Sequence, residues 1–147
     1  MKVLKEINRK ILSPLLMNLN GDRIIRSFSS GSILNIMYHG VTTENSNYFS
    51  PRHISANQFE KHLRYYSKEF DVISILEAFE YLKNNNKPKR KSITISFDDG
   101  YRNNLYTALP LLEKYNMKAT FFVSGICTEE MQIRALWPDI ISYLNYS

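Results

Sequence analysis

From residue 33 onward, short apolar runs with a strand pattern alternate with stretches of helical periodicity, and that order constrains the fold more than any other feature of the chain. Ile33-Leu34-Asn35-Ile36-Met37-Tyr38 reads as a buried strand ending at His39-Gly40. The stretch from Thr42 to Arg52 is polar and loop-like. Ser55 and Gln58 form the signature of a capped helix start, and Phe59, Leu63, Tyr66 and Phe70 follow at helical spacing. Val72-Ile73 suggests a very short strand. Ser74 and Glu77 repeat the capping signature ahead of a helix whose apolar side carries Leu76, Phe79 and Leu82. Ser92 to Phe97, with β-branched Ile93, Thr94 and Ile95, is the clearest strand and runs straight into Asp98-Asp99-Gly100. A helix spans about Asn103 to Tyr115, with Leu105, Leu109 and Leu112 on one side and a break near Ala108-Leu109 imposed by Pro110. Ala119 to Val123 is a further strand, and Asp139 to Leu144 a last helical stretch.

Alternating strands and helices predict an α/β fold of parallel strands with covering helices. A closed β/α barrel takes roughly 200 residues or more. This sequence has 147, so the expectation is an incomplete barrel. Residues 1–32 form a separate basic segment, and residues 33–147 the α/β part.

In residues 1–26 Lys2, Lys5, Arg9, Lys10, Arg23 and Arg26 outnumber Glu6 and Asp22. Leu4, Ile7, Ile11, Leu15 and Leu19 make a helical stripe, which Pro14 divides. Such a stripe docks on the domain's own base or lies on a membrane surface. No nucleic-acid motif accompanies the basic residues, so nucleic acid is not an expected partner. No apolar run reaches transmembrane length, and Leu15-Leu16-Met17 is too short for the core of a signal peptide. The expected location is cytoplasmic or peripheral at the membrane, through residues 1–26. The single cysteine, Cys127, excludes an intrachain disulfide and a cysteine zinc site, and reads as a small buried hydrophobe. The basic run from Lys87 to Lys91 could grip an anionic polymer, but short charge runs usually just face water, and it reads first as a solvated loop.

Parallel-strand folds carry their chemistry at the C-terminal ends of strands, and Asp98 and Asp99 stand at such an end. Two adjacent carboxylates repel when both are ionised. A cation bound to one relieves the conflict and leaves the other as a base toward water. Asp-Asp-Gly alone reads first as a plain surface turn. The longer string, Ser/Thr-Phe-Asp-Asp-Gly, arises by chance in a chain of this size on the order of once in ten thousand.

Ser96-Phe97-Asp98-Asp99-Gly100 resembles the first signature of the NodB-homology polysaccharide deacetylases, carbohydrate esterase family 4. Ile36-Met37-Tyr38-His39-Gly40-Val41 is similar to the opening strand of many members, and residues 108–123 to the helix and strand after the signature. The resemblance runs from about residue 33 to the end. It implies metal-dependent hydrolysis of N-acetyl or O-acetyl groups on a polysaccharide or glycan. Asp98 would be the general base and Asp99 a ligand to a divalent metal, usually zinc. It also places His39 and Tyr101 near the pocket, although a histidine at a strand end serves equally as a hydrogen-bonded structural residue.

The family completes its metal site with a His-x-x-x-His pair. The three histidines here, His39, His53 and His62, contain no such pair. His53 falls in a polar loop and His62 on the outward part of its helix, so neither reads as a substitute ligand. Catalytic zinc takes three protein ligands as a rule. The chain is therefore expected to be the N-terminal portion of such a domain and inactive in isolation. The alternative is a non-catalytic carbohydrate-binding or assembly module that keeps the scaffold. An aspartate-nucleophile phosphatase is set aside, because that chemistry needs Asp-x-Asp and the two acids here are adjacent.

Overall fold

The computed structural model describes residues 31–43, 52–124 and 136–144. The expected N-terminal stripe and Cys127 lie outside the described residues.

The central strand is β5, Ser92–Phe97, and every one of its residues is buried. β1, Ile33–Tyr38, pairs with it in parallel over its whole length, from Ile33 opposite Ser92 to Tyr38 opposite Phe97. Two short strands share the other edge, both also parallel to β5. β4, Asp71–Val72, pairs with its beginning, and β6, Thr120–Phe121, with its end. Apart from these, β2, Gly40–Thr42, pairs in parallel with β3, His53–Ser55. The fold is α/β, with parallel strands and covering helices forming part of a β/α barrel.

Strand alternation sorts β5 into two rows. Ile93, Ile95 and Phe97 enter the apolar core with Tyr38, Val41, Phe59, Leu63, Phe70, Ala108 and Leu112. Ser92, Thr94 and Ser96 face the other way. The Thr94 hydroxyl donates to Asn35 Oδ1 at 2.8 Å, so burial leaves it satisfied. The core row is covered by helix α1, Ala56–Glu69, which buries Phe59 and Leu63. Each such side chain contributes about 1.5–3 kcal/mol by leaving water.

Helix α1 begins where Ser55 accepts a hydrogen bond from the Gln58 amide. Helix α2, Ile75–Lys83, begins with a full capping box, in which Ser74 and Glu77 each bond the other's backbone amide. A five-residue π-helical turn, Asn104–Ala108, then continues as helix α3, Leu109–Lys114. The break expected near Pro110 is thus a change of helix type, which lets proline sit in the first turn of α3 where its missing N–H costs nothing. Helix α4 is Trp137–Leu144.

Three expectations are corrected. Leu76, Phe79 and Leu82 do not enter the core; they are exposed at 76%, 58% and 74%, and α2 packs inward through Ala78 instead. Leu105 is likewise exposed, because the π-helical turn rotates Asn104 and Ala108 inward in its place. Thr42, expected in a polar loop, is a buried residue of β2.

Candidate active site

The β1–β5 ladder delivers the acidic pair. The Asp98 amide donates to the Tyr38 carbonyl at 2.9 Å, extending the pairing one residue past the end of β5. The chain then turns through two consecutive left-handed residues, Asp99 at φ 69° and Gly100 at φ 65°. Glycine adopts this conformation freely, and aspartate is one of the few other residues that tolerates it. Asp98, Asp99 and Gly100 are half-buried at the strand's mouth.

His39 follows β1 at the same end of the sheet and is half-buried. Its carbonyl accepts from Asn104 Nδ2 at 2.8 Å, so the buried Asn104 ties the π-helical turn to the end of β1. Insertions of this helix type recur at functional sites.

Tyr101, one residue beyond the turn, joins a polar network. Its hydroxyl donates to Asp139 Oδ2 at 2.7 Å, and Arg52 forms an ion pair with Asp139 Oδ1. The His53 ring meets Tyr101 edge-on, with centroids 4.6 Å apart. Burial, and then the carboxylate that its hydroxyl bonds, push the Tyr101 phenol well above its ordinary range. Burial lowers the His53 pKa, with Asp139 opposing and Arg52 and His39 reinforcing the shift.

Gly40 makes room for this histidine. A Cβ at Gly40 would stand 2.4 Å from His53 Cδ2, 2.6 Å from its Nε2 and 3.1 Å from Asn103 Nδ2. His53 Nε2 and Asn103 Oδ1 are both buried without a hydrogen-bond partner. Such orphaned groups are costly, and they collect where a ligand or ordered water completes the bonding.

His62 does not point outward. It sits half-buried on α1, with Nδ1 3.0 Å from the Tyr38 hydroxyl, which also bonds the Tyr66 hydroxyl at 2.8 Å. Burial lowers the His62 pKa and raises those of both tyrosines. Its role is structural, on the core side of the sheet.

Among the described residues no three His, Cys, Asp or Glu side chains gather as a metal site. The donors present do not by themselves fit a zinc ion, which needs about three protein ligands. The sequence singles out Asp98, Asp99, His39 and Tyr101 as candidates; the structure places Arg52, His53, Asn103, Asn104 and Asp139 around them, none of which the sequence reading chose. A signal was available only for the asparagines, a polar pair that begins three residues after Gly100.

Residues 85–144 match the polysaccharide deacetylase family model. The match covers 60 of the chain's 147 residues, a likeness to part of a polysaccharide deacetylase domain. Two curated relatives agree. One is YxkH of Bacillus subtilis, whose name places it among the polysaccharide deacetylases. It is 35% identical over 91 residues, which are 61% of this chain and 31% of that protein. The other is a poly-β-1,6-N-acetyl-D-glucosamine N-deacetylase of Staphylococcus aureus. It is 32% identical over 78 residues, 52% of this chain and 27% of that one. The matches therefore span about a third or less of the curated relatives' length. The solved structure of the Streptococcus pyogenes deacetylase PplD, in complex with acetate, shares the fold. It superposes with a TM-score of 0.61 at 22% identity, over 81% of this chain and 54% of that one.

Proposed function

We propose that the domain to which this chain contributes hydrolyses acetyl groups, N-linked or O-linked, on a polysaccharide or glycan. The observation that carries the proposal is the half-buried Asp98-Asp99 pair, held by the β1–β5 ladder at the mouth of the sheet within the family match. Asp98 is assigned the role of general base, accepting a proton from the attacking water. Asp99 is assigned as one ligand of a divalent metal, zinc by resemblance. The described residues supply too few donors to hold that ion alone, so further ligands have to come from outside them. Tyr101, through Asp139 and Arg52, fixes the turn on which both acids ride. His39 and Tyr101 are assigned to the pocket's wall.

The test is acetate release from an N-acetylated glucosamine oligomer by the protein expressed from its own locus. Asp98→Asn is expected to lower release by about 10²–10⁴-fold, the usual contribution of a positioned base. A loss of less than tenfold refutes the assignment. The 147-residue chain by itself is expected to release no acetate, with or without added zinc, and metal-stimulated release from it would refute that part. The second reading is a non-catalytic carbohydrate-binding module that keeps the scaffold. Binding of the oligomer without turnover by the native-locus protein would decide for it.

A further inference from the structure

The exposed stripe on α2 has no role in the acetyl chemistry. Leu76, Phe79 and Leu82 stand at three-residue spacing, each more than half exposed, on a helix that carries its own capping box. Beside Leu76 a surface cleft of about 410 Å³ runs along Glu77, Glu80, Tyr81, Asn84 and Asn86. Three large apolar side chains on one short helix, flanked by carboxylates, have the pattern of a surface covered by another amphipathic element.

The chain supplies an element of matching chemistry. Leu4, Ile7, Ile11, Leu15 and Leu19 repeat at helical spacing, with Lys2, Lys5, Arg9 and Lys10 among them. The point of entry also fits. A Cβ at Gly31 would lie 3.1 Å from Lys87 Cβ, so the described chain begins against the turn that leaves α2. That turn folds back on the helix, with the Asn86 amide donating to the Tyr81 carbonyl at 2.9 Å. Residues 20–30, containing the Asn20-Gly21-Asp22 breaker, reach roughly 35 Å when extended, ample for a return along α2. Glu77 and Glu80 put carboxylates on α2, opposite in sign to the cations of residues 2–19. Glu77 already pairs with Lys118, so Glu80 is the principal partner.

We infer that the basic, apolar-striped segment spanning residues 2–19 docks on the Leu76–Phe79–Leu82 face of α2 in the same molecule. This inference stands apart from the deacetylase assignment and survives its failure.

Hydrogen exchange on the full chain tests it, alongside carbodiimide cross-linking read by peptide mass spectrometry. In the unaltered chain, backbone amides of residues 4–19 are expected to be protected. A Phe79→Asp, Leu82→Asp variant should speed their exchange at least tenfold while the β5 amides stay unchanged, which also shows that the variant folds. Ile7→Asp with Ile11→Asp should speed exchange in α2 in return. Cross-links from Lys2, Lys5 or Lys10 to Glu80 should appear in the monomer. Equal exchange rates in all variants would overturn the inference. So would cross-links confined to a dimer, which assign the face to a second copy. Protection of residues 4–19 appearing only with phosphatidylglycerol vesicles would also overturn it, assigning the segment to a membrane surface.

Discussion

Asp139 is the residue whose removal most sharply tests the site's construction. Its side chain is 13% exposed and that of Arg52 22%, so this ion pair is largely withdrawn from water. One carboxylate oxygen pairs with Arg52 and the other accepts from the Tyr101 hydroxyl at 2.7 Å. Asp139→Ala leaves a guanidinium without its counter-charge and a half-buried phenol without its acceptor. Breaking a fully buried pair costs about 3–5 kcal/mol. Residual exposure of Arg52 lets water recover part of that, while a lost hydrogen bond to a charged group adds about 1.5–3 kcal/mol. The two costs overlap, since one carboxylate serves both partners, and a net loss of about 2–4 kcal/mol is expected. In a double-mutant cycle by urea unfolding, Arg52→Ala should cost less on the Asp139→Ala background than on the unaltered chain, by about 1–3 kcal/mol. Tyr101→Phe should show coupling of the same sign. Additive effects to within about 0.5 kcal/mol would mean that the three side chains do not act as a unit, and the account of how Tyr101 is held would fail.

Gly40→Ala should cost about 1–3 kcal/mol, since the new methyl must displace the His53 ring, and should move the His53 imidazole resonances; an unshifted spectrum would contradict the packing. Gly100→Ala should cost about 1–2 kcal/mol from its left-handed backbone, and Asp99→Val more than Asp99→Asn; equal costs for the two Asp99 variants in thermal unfolding would speak against the turn. Both His53 and His62 have pKa values lowered by burial, so below their ordinary value of 6.5 the unfolded chain binds protons that the folded chain refuses. Stability should therefore fall as pH drops through about 6.5 and level off below the lowered folded values. His62→Gln should flatten that dependence, and urea midpoints unchanged between pH 8 and pH 5 would count against it.

The parts of the fold legible in the sequence were those fixed by neighbours along the chain. β5 was readable because its β-branched run is long enough to bury both faces, and the acid pair because it follows that run without a gap. The helix starts at Ser55 and Ser74 were readable because a cap is a bond between residues three apart. The polar network was not, because Arg52 and Asp139 are 87 positions apart and nothing local marks either as a partner of Tyr101.

Periodicity explains the misplaced α2 face in the same way. Spacing shows that Leu76, Phe79 and Leu82 share a side, but which side a helix turns inward depends on what the sheet offers it, and β5 accepts α2 through Ala78. His62 went inward for the converse reason: the Tyr38 and Tyr66 hydroxyls, buried beside the core, need polar company that only a neighbouring strand and helix supply. By itself the sequence determined the parallel α/β alternation, the capped helix starts and the carboxylates at the end of β5, since each follows from backbone propensity and contacts a few residues long. Only the tertiary structure decided which polar groups share the mouth of the sheet and which apolar stripe the sheet leaves uncovered. Those choices depend on desolvation, and desolvation is a property of the assembled surface rather than of any one segment.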